Sequence, residues 1–552
     1  MSKKFYKEKH FSNYREIINY SAGHFKDRAA FKIKRPDDSY LHISYRELEN
    51  RYYTLCGIFL DMGLRHKRIA VVGGNCFEWV LAYMCASTVG CAVPLDKELC
   101  ADDLKDFIEA AECDAVCCAD KYIDKLIPIL SDEMLSISFG EIMDMSVQRG
   151  YDDHAEVDNI DIPRDRMQIL IFTSGTTGNS KGVCLSQYNI CSNIYSTVSS
   201  VKIKPKDITL SILPLHHTYE CTLNCMLFLS RGGRITYCQS LKKLPKNMAE
   251  YHPTVLVVVP ALLKVLDKRI KNTIAKECPE KYRTYFENET LADALGRTPY
   301  IVRRVIRAKV RRTLGGQLRL FIVGAAELDP MLVKDFAALG IRTLQGYGLT
   351  ECSPLLAGNS DFYWNAASTG IAMRDVELKV DAPNAEGIGE IIARGDNIML
   401  GYFKDEAANE AVFRGGWFHT GDLGCMDSEG ALYIKGRIKN VIVTSNGKNI
   451  YPEELETRLS QHPEIGEALV VGSYDRNGVC VKAKILPNLD FLKEKLGRIP
   501  TAEDIQAAVQ SVIRDVNEVV PSYKHIKMIE ILEFALEKTT TQKIKRCGGN
   551  LM

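Results

Sequence analysis

Between Ile171 and Gly182 the chain reads Ile-Phe-Thr-Ser-Gly-Thr-Thr-Gly-Asn-Ser-Lys-Gly. Thr173, Ser174, Thr176 and Thr177 supply hydroxyl donors, and Gly175 and Gly178 let the backbone turn tightly and bring its N–H groups close to an anion. Lys181 adds a positive charge. Together these groups are suited to gripping the phosphates of a nucleotide. The P-loop of kinases and GTPases ends in Gly-Lys-Ser/Thr. Here Ser180 precedes the lysine and Gly182 follows it, so that reading fails at two positions. The plain alternative is a solvated polar loop.

Four further strings carry chemistry. In Leu344–Pro354, Tyr347 lies between Gly346 and Gly348, where a ring can lie beside a planar base. Thr350 offers a hydroxyl to a phosphate, and Glu351 is a hard oxygen ligand suited to Mg²⁺. In Gly416–Gly424, Asp422 beside a glycine turn can accept both hydroxyls of a ribose; Arg437 follows one strand later. The plain readings are a turn with a core tyrosine, a turn cap and an ion pair. Leu213–Glu220 contains His216, His217 and Tyr219 but no acid before Glu220. The tail Leu536–Arg546 is rich in lysine, which in isolation is solvent-exposed charge.

In this order the strings resemble the adenylate-forming (AMP-binding) superfamily, which includes acyl-CoA synthetases, firefly luciferases and peptide-synthetase adenylation domains. The likeness is greatest to long-chain fatty acyl-CoA synthetases and runs from about Tyr45 to Arg546. The family's phosphate loop has proline where this chain has Ser180. The resemblance implies that residues 173–178, Lys181 and Thr350 hold ATP phosphates, that Glu351 and Thr173 serve Mg²⁺, and that Tyr347 with Gly346 flanks the base. It puts Gly324, Ala325 and Ala326 beside adenine, Asp422 and Arg437 on the ribose, and His217 and Tyr219 at the carboxylate end of the acyl substrate. Alignment on Lys-Ile-x-Arg makes Lys543 the catalytic lysine, with Gln542 and Glu537 in place of the usual glycine and proline and Lys538 and Lys545 as nearby alternates. Lys439 falls at the hinge and Gly447 beside a tunnel for coenzyme A. Gly370–Asp375 departs from the family pattern. The implied reaction joins a long-chain fatty acid to AMP from ATP, then transfers the acyl group to coenzyme A. An acyl carrier protein is the alternative acceptor, and a weakly active acyl-adenylate-binding protein is a further alternative.

The elements that must position these groups alternate. Tyr45 opens a helix, Arg68–Val72 is a strand, Glu78–Met84 starts a helix, and Cys91–Leu95 closes the unit. Strands are also expected at Thr254–Val259, stopped by Pro260 and followed by a helix through Leu262, Leu263 and Leu266, and at Leu318–Val323, Asn440–Thr444 and Glu467–Gly472. Such alternation predicts an α/β fold of parallel or mixed sheets flanked by helices. The resemblance adds a small, mobile α+β C-terminal domain, giving domains 1–437 and 438–552. Residues 268–312 are charged and helical in composition and end in Arg303, Arg304, Arg307, Lys309, Arg311 and Arg312. They read as a solvated face, or as a basic patch for an anionic cofactor or partner.

At 552 residues the chain exceeds one ordinary core, and its 46% hydrophobic and 26% charged residues are globular values. A net charge of +1 gives no bulk case for nucleic acid or an anionic membrane. The 18 cysteines lack zinc-type spacing and read as free thiols in a reducing compartment. The basic, polar N-terminus does not read as a signal peptide, and the apolar run at Val80–Leu95 is too broken to span a membrane. A cytoplasmic protein follows, with peripheral membrane contact compatible with the sequence.

Overall fold

The computed structural model describes residues 4–131, 134–148, 154–173, 180–278, 280–288, 290–326, 328–444, 448–475, 478–538, 544 and 546. Two compact units divide the chain. The first comprises Met1–Thr173, Ser180–Glu377 and Ala393–Phe418; the second includes Leu378–Ile392 and His419–Met552.

Two sheets frame the first unit, of seven and nine strands among the described residues. In the seven-stranded sheet Arg68–Val72 pairs in parallel with Cys91–Leu95 and Ala115–Cys118. Ile69 to Val72 are fully buried, as an uninterrupted apolar strand covered on both faces must be. The helix Phe77–Val89 is buried at every position except Glu78, which is half-buried in its first turn, and it has no polar face. At the other side of this sheet Ile169–Thr173 and Lys181–Leu185 run antiparallel, with Thr173 opposite Lys181.

In the nine-stranded sheet Val255–Val258, Leu320–Val323 and Arg342–Gly348 are parallel neighbours. Their carboxyl ends therefore share an edge, the place where open α/β sheets bind ligands. Pro260 does not merely stop the strand before it. It occupies the first turn of the helix Pro260–Glu277, where its missing N–H costs nothing. Residues 260–313 form four helices, in keeping with their composition.

The second unit contains a three-stranded sheet of Ile465–Asp475, Gly478–Pro487 and Ile526–Ile531. Leu455, Leu459, Val512 and Val516 from two helices pack with Val470, Ala483 and Ile485 of that sheet. The strand expected over 440–444 shrinks to Ile442–Val443, paired with Asn449–Ile450. The architecture is thus a large α/β part with mixed sheets and flanking helices, followed by a smaller α+β part. No helix among the described residues is long and apolar enough to cross a membrane.

Candidate active site

The phosphate-loop string lies between two antiparallel strands. Thr173 ends one, Lys181 begins the other, and the Thr173 hydroxyl donates to the Lys181 carbonyl at 3.4 Å. Ser174, Gly175, Thr176, Thr177 and Gly178 lie outside the described residues. Gly182 is a packing glycine: a Cβ there would approach Leu170 Cδ1 to 2.9 Å and Phe403 Cβ to 3.2 Å.

The short strand Gly401–Tyr402 adds to the same edge, with Tyr402 opposite Val183. This pairing brings the Lys181 ammonium to 4.6 Å from the Tyr402 ring centroid, within cation–π range. The Tyr402 hydroxyl donates to Glu351 Oε1 at 3.0 Å. A cation, a phenol and a carboxylate from three separate motifs therefore meet.

Glu351 sits in the 3-10 turn Thr350–Cys352. Asn193 and Asn397, both buried, donate to the Leu355 carbonyl at 2.8 and 2.9 Å, and the Met399 N–H donates to the Glu351 carbonyl at 2.8 Å. These bonds fix the turn against the helix Gln187–Ser200. That helix is itself capped by a reciprocal Ser186–Asn189 pair. Before the turn, Tyr347 is buried in the strand Arg342–Gly348 opposite Ala357. Gly346 flanks it, and a Cβ there would meet Leu355 Cδ2 at 2.8 Å; at Gly348 a Cβ would meet the Pro354 carbonyl oxygen at 1.8 Å. Gly348 therefore admits no side chain.

At the neighbouring strand ends, Tyr219 directs its hydroxyl to the carbonyls of Ile322 at 3.0 Å and Val258 at 3.2 Å. Its ring lies under Gly324, where a Cβ would approach it to 3.0 Å. Tyr219 thus ties two strand ends together. The chain then turns through Ala325 at φ +71°, a left-handed conformation uncommon for alanine, and exposes Ala326. His217 is half-buried at the start of a one-turn helix, its ring 4.2 Å from that of His216. His216 is buried 3.7 Å from Asp96. Burial and then Lys97 push its pKa down to about 4, so the His216 imidazole is neutral at neutral pH.

Behind this segment Glu220 is fully buried. Its Oε1 accepts from the Ser211 hydroxyl and from Asn224 Nδ2, each at 2.6 Å. Burial outweighs these bonds and raises its pKa to about 8. Asn75 extends the network, donating to Ser211 Oγ at 2.8 Å and to the Leu213 carbonyl at 2.6 Å.

In the second unit Asp422 lies within the strand Trp417–Met426, although Gly421 before it has φ +70°. The sequence suggested a turn. Asp422 is the cross-strand partner of Arg437, and Arg437 Nε is 2.9 Å from Asp422 Oδ1. The two ribose candidates are thus brought together directly. One residue pair before the aspartate, Glu390 accepts from the Gly421 N–H at 3.0 Å and lies 2.7 Å from His419 Nδ1. Lys439 is exposed in the 3-10 turn Ile438–Asn440. Gly447, Lys543 and Lys545 lie outside the described residues. On either side of 539–543, Lys538 pairs with Glu467 at 2.6 Å and bridges to Ile544. Arg546 Nη2 grips Glu456 at 2.6 and 2.5 Å.

No role for Tyr402, Asn193, Asn397 or Glu390 was legible in the sequence. Tyr402 ends the string Gly395–Tyr402, but its partner Glu351 is 51 residues away. Asn397 lies in that same string, and Asn193 lies in the helix Gln187–Ser200, whose many hydroxyls and amides give it no distinguishing neighbour.

Comparison with known proteins follows the same outline. A family model described as AMP-binding enzyme matches residues 18–403, and one described as AMP-binding enzyme C-terminal domain matches 439–547. Rat long-chain-fatty-acid–CoA ligase 5 is 28% identical over 576 residues, covering 93% of this chain and 83% of its own. Human long-chain-fatty-acid–CoA ligase 1 is 28% identical over 489 residues, covering 80% and 69%. Two solved structures share the fold. ATP-bound MatB from Rhodopseudomonas palustris has a TM-score of 0.75 at 23% identity, covering 97% of each chain. Bacillus subtilis O-succinylbenzoate coenzyme A synthetase with ATP and magnesium has a TM-score of 0.72 at 22% identity, covering 96% and 98%.

Proposed function

Because the chain belongs to the AMP-binding enzyme family and so is an enzyme of the adenylate-forming ligase class, we propose that it activates a long-chain fatty acid. The acid is joined to AMP from ATP, and the acyl group then passes to the thiol of coenzyme A. The observation that carries this reading is the meeting of Lys181, Tyr402 and Glu351 at the edge where the phosphate-loop string begins and ends. Relatives named as long-chain fatty acid ligases support the acyl class. So does the absence of an acid from Leu213 to Tyr219 that could hold an amino acid's ammonium.

A carboxylate is a poor acyl donor because its leaving group would be oxide. Its oxygen attacks the α-phosphorus, the bond to the β-phosphate oxygen breaks, and pyrophosphate leaves. The thiolate then attacks the acyl carbon and AMP departs. In the first step charge grows on phosphoryl oxygens, where fixed cations and donors act most strongly. We assign that work to the 173–178 string, Lys181, Thr350 and Lys543. Among the described residues no three His, Cys, Asp or Glu side chains cluster as a metal cage. A lone carboxylate engaged by Tyr402 on one oxygen fits Mg²⁺, which takes few protein ligands beside phosphates. Glu351 and Thr173 would hold it, and when bound it neutralises phosphate charge.

Tyr347, Gly346 and the Gly324–Ala326 turn receive the base, Asp422 and Arg437 the ribose, and His217 the substrate carboxylate. The domains are 1–437 and 438–552, hinged at Lys439, with Gly447 admitting the pantetheine chain of coenzyme A. The described cysteines are free thiols, which fits a reducing cytoplasm.

The test separates the two steps. Lys543→Ala lowers acyl-adenylate formation by on the order of a hundredfold and spares thioester formation from supplied acyl-adenylate; Gly447→Leu does the reverse. Equal loss of both steps in both variants contradicts the assignment. Offering holo acyl carrier protein in place of coenzyme A distinguishes the alternative acceptor. Binding of acyl-adenylate without turnover on any fatty acid would favour a sensor.

A further inference from the structure

The helix Tyr300–Thr313 carries six cations and no acid in a chain whose net charge is only +1. One face is anchored. Ile306 and Val310 are buried in the core, and Arg307 Nε donates to the Ala338 carbonyl at 2.6 Å. The other face is uncovered and mixed. Ile301 is 75% exposed, Tyr300 65% and Val305 49%. Ile301, Val305 and Ala308 follow a spacing of four and three residues, so they share one stripe. Arg312 continues the stripe, and Arg304, Lys309 and Arg311 flank it, all four exposed. Among the described residues Arg304, Arg311 and Arg312 have no ion pair. The contacting helix Pro260–Glu277 presents Val265, 64% exposed, with exposed Lys268 and Arg269 one turn on.

Large apolar side chains in water beside uncompensated guanidinium groups mark an interaction surface. A solvated face explains the cations but not Tyr300, Ile301 and Val305. Low overall hydrophobicity, basic flanks and an aromatic–aliphatic stripe are the pattern of a helix lying in a bilayer interface. There arginine stems reach past apolar side chains and their heads meet lipid phosphates. We propose that the helix Tyr300–Thr313 docks this protein on anionic lipid bilayers. Ile301 and Val305 enter the headgroup boundary, and Arg304, Arg311 and Arg312 engage the phosphates. The purpose of such docking rests on the proposed function: long-chain acids partition into bilayers, so the surface brings the enzyme to its substrate.

Flotation of the full chain with vesicles tests this, because it needs no turnover. Phosphatidylcholine vesicles with and without phosphatidylglycerol are used, at low and high salt. The expected result is flotation with anionic vesicles at low salt, lost at high salt and on neutral vesicles. The triple change Arg304→Gln, Arg311→Gln, Arg312→Gln and the double change Ile301→Glu, Val305→Glu each weaken partitioning by roughly tenfold or more. Melting temperature and pyrophosphate release with a short, water-soluble fatty acid stay unchanged. The proposal is overturned if the wild-type chain floats with no vesicle, or if both variants float as well as it does. It is equally overturned if the variants abolish binding of an acidic carrier protein, or self-association, while vesicle binding persists. Flotation without pyrophosphate release sinks the activity reading alone; release without flotation sinks the docking alone.

Discussion

Tyr402 touches Lys181 with its ring and Glu351 with its hydroxyl. Its two contacts can be removed separately. Tyr402→Phe keeps the ring under the ammonium but frees the carboxylate. The expected outcome is a rise in the Mg²⁺ concentration needed for half-maximal activity, by about tenfold, the usual scale for losing a partner that orients a metal ligand, with melting temperature nearly unchanged. Titrating Mg²⁺ against pyrophosphate release checks it. Gly348→Ala is a different kind of change, since its Cβ would lie 1.8 Å from a backbone oxygen. The strand must shift, and a loss of several kcal/mol, typical of overpacking at its most severe, is expected in chemical denaturation. The string holding Tyr347, Thr350 and Glu351 could be picked out in the sequence because an aromatic ring, a hydroxyl and a carboxylate follow one another closely between glycines and a proline. Tyr402's double contact could not, because a cation–π pair across strands depends on register, which a one-residue slip would erase.

At the level of elements, the 539–543 segment is bracketed by Lys538 on Glu467 and by Arg546 on Glu456. If Lys543 acts in adenylation, its element must be held. Arg546→Ala should therefore lower acyl-adenylate formation by roughly tenfold or more, the cost of a misplaced group, while thioester formation from supplied acyl-adenylate stays close to wild type. Assaying the two half-reactions separately shows it; equal loss in both would mean a general structural defect. Elements were legible where one chemical pattern fixes them. The apolar run Arg68–Val72 is a strand as read, and the helix from Tyr45 begins at its Ser44 cap. Pro260 was legible as well: it ends one strand and opens the helix expected through Leu262, Leu263 and Leu266. Asp422 after Gly421 read as a turn residue, yet the glycine's positive φ is absorbed inside a strand that pairs with Arg437.

For the molecule as a whole, two buried groups set opposing pH trends. Glu220 keeps its proton up to about pH 8 in the fold, against 4.5 for the ordinary group. The unfolded chain releases that proton first as pH rises, so stability falls between those two values. Glu220→Gln removes this slope, and the variant should gain on the wild type by up to a few kcal/mol between pH 5 and pH 8, read from denaturation at each pH. His216 works in the other direction. Its pKa drops from 6.5 to about 4 on folding, so its contribution is complete above 6.5 and is lost as pH falls toward 4. His216→Gln should flatten the acid side of the same curve. The large α/β part and smaller α+β part were legible because alternating strands and helices leave few architectures open. The packing that buries Glu220 and His216 was not, since neighbours from distant segments create it.

The central claim is that this chain joins an organic acid to AMP. Exchange of labelled pyrophosphate into ATP, in the presence of Mg²⁺ and a panel of fatty acids of increasing length, tests it most directly. The account predicts exchange that requires the acid, is strongest with long chains, and falls by on the order of a hundredfold in Lys543→Ala. Absence of exchange with every fatty, aryl and amino acid offered would contradict it.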